Sequence, residues 1–234
     1  MSSTPAGPGA LVGRTVVATR SRTQASVLVD RLAALGATVV ELPVIAIEDA
    51  ADGGAALAEA ADQLVDGVYA WVAFTSANAV SRFLDALDGR AVPDRVQWAA
   101  VGTATARRLS EGGFPPNLIP PKAVSDSLAE TFPVADRQDP EDATVLFPGA
   151  ETVRGALAAG LEAKGWKVDE VVAYRTVAGD PDPESVAAAG DADAVAFTSS
   201  STVERAVALL GVDGLPPVIV SIGPVTSATA RAQG

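Results

Sequence analysis

Strand and helix signals alternate along this chain in two similar halves, which predicts an α/β protein of two similar lobes of parallel sheet flanked by helices. Two observations carry that reading. Short apolar runs of strand length recur between helix-spaced segments, the pattern of parallel strands joined by crossover helices. The chain also repeats itself. Val72-Ala73-Phe74-Thr75-Ser76-Ala77-Asn78-Ala79-Val80 returns as Val195-Ala196-Phe197-Thr198-Ser199-Ser200-Ser201-Thr202-Val203, roughly 120 residues later. Val101-Gly102-Thr103-Ala104-Thr105-Ala106-Arg107 returns as Ile222-Gly223-Pro224-Val225-Thr226-Ser227-Ala228. A second kind of module doubles as well. Thr15-Val16-Val17-Ala18-Thr19-Arg20 with Leu28, Gly36 and Val39 lines up with Thr144-Val145-Leu146-Phe147-Pro148-Gly149 with Leu157, Gly165 and Val168. We call the second kind the leading module and the first the hydroxyl module; they alternate, leading, hydroxyl, leading, hydroxyl.

Taken in order, residues 15–18 read as a buried parallel strand. Ser21-Arg22-Thr23-Gln24 fits a capping box, Leu28, Leu32 and Leu35 keep helical spacing, and Gly36 supplies the stop. Residues 39–42 are the next strand, and 42–47 continue extended with Pro43 suited to an edge or a connector. A polar and Gly/Ala stretch follows. Strand 69–74 then feeds helix 77–87, and strand 96–101 feeds helix 103–111, which Gly112-Gly113 closes. Leu118-Ile119 is a short strand, and a helix runs from Ser125 to about Thr131. Segments 144–147, 153–164 and 168–176 repeat strand, helix, strand, and 194–197, 202–210 and 218–222 repeat it again. The last helix carries Pro224 at its first position, where a missing N–H costs nothing. The second hydroxyl module reaches Gly234 without counterparts of strand 118–119 and the helix after it, as in a truncated chain.

Composition narrows the function. At 234 residues and 48% hydrophobic, the chain can fill two ordinary cores, and its apolar runs fall short of the ~20 residues a bilayer needs. Residues 1–13 lack the basic and apolar regions of a signal peptide, so a cytoplasmic address is expected. Without cysteine there is no thiolate nucleophile or disulfide, and without histidine the commonest proton carrier and zinc ligand is missing. A net charge of −12, with the basic residues scattered, argues against nucleic acid. Acidic pairs such as Glu48-Asp49 and Glu141-Asp142 read as solvated loop charges.

The polar residues that could meet a ligand gather at the C-terminal ends of strands, where open α/β sheets bind. They are Thr19, Arg20, Thr75, Ser76, Asn78, Thr103, Thr105, Arg154, Thr198, Ser199, Ser200, Gly223 and Thr226. Any single one is explained as a helix cap. Two matched sets in two lobes favour a shared ligand, an anion held by helix N-termini in a cleft between the lobes. Gly102-Thr103-Ala104 does not match a Walker loop, and Thr19-Arg20 is not followed by the glycine pattern of a dinucleotide site. No nucleophile–base pair can be assembled, so any catalysis rests on positioning and fixed dipoles. Tyr174, in Val171-Val172-Ala173-Tyr174-Arg175-Thr176, stands where the second leading module leaves its lobe. A core or connector tyrosine with its hydroxyl at the rim is, on its residues alone, the commoner explanation.

These motifs together resemble the uroporphyrinogen-III synthase family. The residues that carry the resemblance are Thr19-Arg20 with Gln24, Pro43, the stretches 74–80 and 101–106, Ser125 with Leu128, Val145-Leu146-Phe147-Pro148 with Arg154, Tyr174-Arg175-Thr176, Phe197-Thr198-Ser199-Ser200 and Ile222-Gly223-Pro224-Val225-Thr226. The resemblance implies two lobes joined by a two-stranded β connector: 1–42 plus 179–234, 50–171, and connector strands 43–49 and 172–178, with the first lobe's C-terminal end truncated. It implies a lyase that closes linear hydroxymethylbilane with loss of water and inversion of ring D, through a spiro-pyrrolenine, giving uroporphyrinogen III. It implies no cofactor and no metal, a monomer, no membrane, and handover from hydroxymethylbilane synthase. Tyr174 maps to the family's most discussed tyrosine and is the expected catalytic residue; Thr19, Arg20, Thr75, Ser76, Asn78, Gly102, Thr103, Arg154, Thr198, Ser199, Ser200, Gly223, Pro224 and Thr226 are the expected substrate-binding residues. The competing reading is a two-lobed tetrapyrrole- or anion-binding regulatory module without catalysis.

Overall fold

The computed structural model describes residues 7, 9–20, 22–135, 143–152 and 155–234. Ser21 of the expected capping box, the pair Glu141-Asp142, Arg154 and the expected helix start at Val153 lie outside them. The chain divides into two compact units, Met1–Ile47 with Thr176–Gly234, and Glu48–Arg175.

The first unit holds a four-stranded sheet. Strands β1 (Thr15–Ala18), β2 (Thr38–Glu41), β8 (Ala194–Phe197) and β9 (Val218–Ser221) run in the order β2-β1-β8-β9, all parallel. Helices α1 (Arg22–Ala34), α7 (Pro183–Gly190), α8 (Ser200–Leu210) and α9 (Pro224–Gln233) belong with it. Its core gathers Val17, Leu42, Val44, Ile45, Val195, Phe197 and Val203. Asp193 fastens the start of β8 to that of β1: Oδ2 accepts from the Thr15 N–H and Oδ1 from Arg14, both at 2.8 Å.

The second unit holds strands β3 (Ile45–Asp49), β4 (Trp71–Phe74), β5 (Gln97–Ala100), β6 (Thr144–Ala150) and β7 (Lys167–Ala178) in the order β3-β7-β6-β4-β5. The β7-β6-β4-β5 portion is parallel and repeats the arrangement of β2-β1-β8-β9, so each leading module is paired with a hydroxyl module. β3 and β7 neighbour each other in this sheet, and both cross the division between the units. The division therefore assigns residues 43–47 and 176–178 to the first unit, and 48–49 and 172–175 to the second.

Helices α2 (Ala55–Val65), α3 (Ala77–Leu87), α4 (Thr103–Glu111), α5 (Ser125–Thr131) and α6 (Ala156–Glu162) complete the second unit. Val72, Ala73 and Phe74 are fully buried, as expected of a strand covered on both faces. Aromatic rings fill both sides: Phe74, Phe83, Trp98 and Phe114 follow one another in edge-on and tilted contacts, and Phe132 lies between Trp71 and Trp166. The short strand expected at 118–119 is reduced to one parallel bridge, Ala99 to Leu118. Two helices were not expected. α2 lies in the Gly/Ala stretch, where Leu57, Ala60, Ala61 and Leu64 form a buried stripe. α7 opens on Asp182, whose side chain accepts from the Ser185 N–H, with Pro183 in the first turn. Among the described residues, no helix is long and apolar enough to cross a membrane.

Candidate active site

In the second unit, β4 passes into α3 through Thr75 and Ser76, both half-buried. Ser76 is the N-cap of α3, with extended backbone, and its Oγ accepts from the Asn78 N–H at 3.1 Å. A serine at an N-cap does this routinely. The same oxygen has a second donor: the Tyr174 hydroxyl gives its hydrogen to Ser76 Oγ at 3.0 Å.

A β-bulge delivers Tyr174 to that position. β6 and β7 hold one register from Thr144 opposite Lys167 to Gly149 opposite Val172, and then Ala150 faces Tyr174, leaving Ala173 as the extra residue. The alternation of faces breaks there, and Ala173 and Tyr174 are both buried. The Tyr174 carbonyl accepts from the Glu151 N–H at 3.0 Å, which pins the main chain just past the bulge. The other tyrosine serves the opposite end of the sheet. Tyr69, just before β4, has its hydroxyl within hydrogen-bond reach of two acceptors, Asp169 Oδ2 and Gln63 Oε1; burial first, then Asp169, push its pKa above the usual tyrosine range.

The second hydroxyl turn of this unit opens α4 on Gly102, at φ 81° and ψ 160°, a conformation that only glycine adopts freely. No side chain caps this helix, and the Gly102 carbonyl accepts the first helical bond, from Ala106. Thr103 is exposed at the first helical position, whereas Thr105 is buried. The leading N–H groups of α4 are thus left for water or an anion.

In the first unit, adjacency of β1, β8 and β9 brings Thr19 and Arg20 beside Thr198 and Ser199, with Gly223 one strand further. Thr19 is fully buried, and its hydroxyl donates to the Ala196 carbonyl at 2.8 Å, stapling β1 to β8. Arg20 is half-buried, and desolvation holds its pKa below the ordinary arginine value. Ser199 caps α8 in a full capping box with Thr202, at 3.3 and 3.2 Å, and also meets Ser201 at 2.9 Å. Ser200 pairs with Thr229 at 2.7 Å. α9 opens on Gly223 and Pro224 with no side-chain cap, and Thr226 is buried at its third position, matching Thr105 in α4. Among the described residues no His, Cys, Asp or Glu group is arranged to hold a metal ion.

Two kinds of helix start therefore recur in each unit: one capped by its own serine, and one opened by glycine with no side-chain cap. A family model for uroporphyrinogen-III synthase HemD matches residues 26–234. The chain belongs to the uroporphyrinogen-III synthase family. It is 32% identical over 240 residues to the uroporphyrinogen-III synthase of Synechococcus elongatus, covering 94% of this chain and 87% of that relative. Among solved structures, it resembles a mutant uroporphyrinogen III synthase from Thermus thermophilus with a TM-score of 0.62 at 23% identity, covering 95% of this chain and 90% of the other. It resembles the Helicobacter pylori enzyme with a TM-score of 0.61 at 16% identity, covering 94% and 89%. At those identities the structural likeness speaks to the fold: parallel α/β sheets flanked by helices.

Within the uroporphyrinogen-III synthase family frame, sequence reasoning found the turns but not what joins them. The bulge at Ala173 had one visible signal, a Pro148-Gly149 pair inside a strand. The Tyr174–Ser76 bond, between residues 98 apart, had none. Taken one by one, the second unit offers an anchored phenol at the C-terminal edge of its sheet and an uncapped start at α4, and the first unit offers a half-buried guanidinium and an uncapped start at α9.

Proposed function

We propose that this chain is a cyclising lyase of tetrapyrrole biosynthesis that closes linear hydroxymethylbilane to uroporphyrinogen III, with loss of water and inversion of ring D. The observation that carries the reading is the family match across residues 26–234. It also favours catalysis over a regulatory module that only binds.

The reaction makes two demands. A hydroxyl must leave as water, and ring D must be folded so that its substituted carbon attacks. For the first, the Tyr174 hydroxyl assists departure by hydrogen bond or proton transfer. For the second, the substrate's eight carboxylates are restrained so that one folded shape dominates. The chain's net charge of −12 repels such a polyanion at long range, so attraction must be local. The uncapped N–H groups of α4 and α9, with Arg20 and Arg154, supply it in this reading. Each exposed helix terminus contributes about 0.3–1 kcal/mol, so several must act together. The same reading has a cytoplasmic monomer that takes the bilane from hydroxymethylbilane synthase and needs neither metal nor cofactor.

The test is to supply hydroxymethylbilane and separate the products by isomer. Isomer III is expected; isomer I alone would overturn the reading. Tyr174→Phe should slow turnover by roughly a hundredfold, the lower end of what a positioned acid supplies. A Tyr174→Phe enzyme with full turnover and selectivity removes the role given to Tyr174.

A further inference from the structure

We infer that Ser76 is a positioning residue for Tyr174 and not a substrate donor, and that departures from the internal repeat restrict this pairing to the second unit. The inference rests on the role proposed for Tyr174 and names the group that sets its phenol.

The repeat acts as an internal comparison. The hydroxyl modules align Ser76 with Ser199, Asn78 with Ser201 and Ala79 with Thr202. The leading modules align Val39 with Val168, and the same step onward brings Ile45 opposite Tyr174. In the first unit the serine is closed on its own helix. Ser199 Oγ accepts from the Thr202 N–H, Thr202 Oγ1 returns a bond from the Ser199 N–H, and Ser201 meets Ser199 from the side. Ile45 has no polar atom and lies in the apolar core with Leu42, Val195 and Phe197.

In the second unit Ala79 has no oxygen with which to complete a capping box. Ser76 Oγ turns to the Asn78 N–H, one residue nearer, and takes the Tyr174 hydroxyl as its other donor. A serine hydroxyl accepts two hydrogen bonds and gives one. Both accepting positions are filled, so the phenol hydrogen is aimed at a helix cap that the main chain holds still. From the other end, the bulge at Ala173 and the Glu151 N–H fix the Tyr174 backbone. When a leaving oxygen takes the phenol hydrogen, Ser76 can turn its own hydrogen to Tyr174 without moving the helix, so the phenol oxygen keeps a donor. The first unit, with Ile45 and a closed cap, has no such pair.

The test is steady-state kinetics on hydroxymethylbilane with isomer analysis, using the full chain and four variants: Ser76→Gly, Ser76→Thr, Tyr174→Phe, and Ser76→Gly with Tyr174→Phe. Glycine is nearly as good an N-cap as serine, so Ser76→Gly removes the hydroxyl and keeps the helix start. We expect Ser76→Gly to lower kcat roughly threefold to tenfold, the range one neutral hydrogen bond spans, with KM nearly unchanged. Ser76→Thr, which keeps a hydroxyl, should recover most of the loss, and the double variant should be no slower than Tyr174→Phe. A raised KM with intact kcat in Ser76→Gly makes Ser76 a substrate donor and overturns the inference. So does an equal loss when glycine is added to the Tyr174→Phe background. A fully active Tyr174→Phe instead defeats the role of Tyr174, and the positioning role with it. A slow Tyr174→Phe beside an unaffected Ser76→Gly defeats the positioning role alone.

Discussion

Gly179→Ala should be among the most damaging single-methyl changes in the first unit. The Gly179 N–H donates to the Val44 carbonyl at 2.9 Å, so two chain segments pass backbone to backbone. An added Cβ would lie 1.8 Å from the Pro43 carbonyl oxygen and 2.8 Å from the Ile45 nitrogen. Those are main-chain atoms, so no rotamer can relieve the clash, and the segments must part by roughly 1.5 Å to reach ordinary contact. Overpacking of this kind costs about 1–3 kcal/mol, and the stretched Gly179–Val44 bond adds about 1 kcal/mol. The sum is about 2–4 kcal/mol. With a urea m-value near 2 kcal/mol per molar, the unfolding midpoint seen by circular dichroism should fall by roughly 1–2 M. Gly190→Ala is the internal contrast. Nothing lies within 4 Å of its added Cβ, it ends α7, and its φ is not in the left-handed range, so a small gain of about 0.5 kcal/mol is expected. A Gly179→Ala protein within about 0.5 kcal/mol of its parent would show that the crossing yields easily, and would refute the reasoning.

Asp193 supplies a pH test. The Thr15 N–H, then the Arg14 guanidinium, hold its carboxyl below the usual aspartate value. A depressed folded-state pKa gives stability that is present above the unfolded value of about 3.9 and is lost as pH falls through the folded value. Asp193→Asn should therefore be less stable at neutral pH and lose less on acidification; an unchanged acid slope in urea unfolding counts against this. Ionic strength supplies another test. Because a chain of net charge −12 repels a polycarboxylate, added salt should raise kcat/KM on hydroxymethylbilane by screening that repulsion. A steep fall with salt would mean that local cations dominate the approach.

The elements legible in the sequence were those whose signals are local. β4 into α3 and β8 into α8 could be read because an apolar strand, a hydroxyl turn and an amphipathic helix follow one another within a few residues. α2 was missed because alanine fills half of its buried stripe and gives little contrast with a Gly/Ala loop, although alanine is the strongest helix former. α7 could have been found from Asp182 and Pro183, a cap followed by a first-turn proline. Thr19 was legible as a strand end but not as a staple, since its partner Ala196 lies 177 residues away.

The repeat was the strongest signal in the chain, and it does not extend to the bonds that its two serines make. Equal phrases around Ser76 and Ser199 implied equal jobs, a matched pair of ligand donors. The structure separates them through differences that carry no hydroxyl signal at the serine itself: alanine in place of threonine three residues on, and an alanine bulged out of a distant strand. A duplicated scaffold can stay recognisable in its strands while its caps diverge, because a cap needs only one oxygen and one N–H, whereas the strand must keep its whole buried face. Divergence at the caps is thus the inexpensive route by which one copy gains a tyrosine partner and the other keeps a closed helix start. It follows that similarity between the two turns says which backbone is shared, and only the bonds made by each serine tell the turns apart.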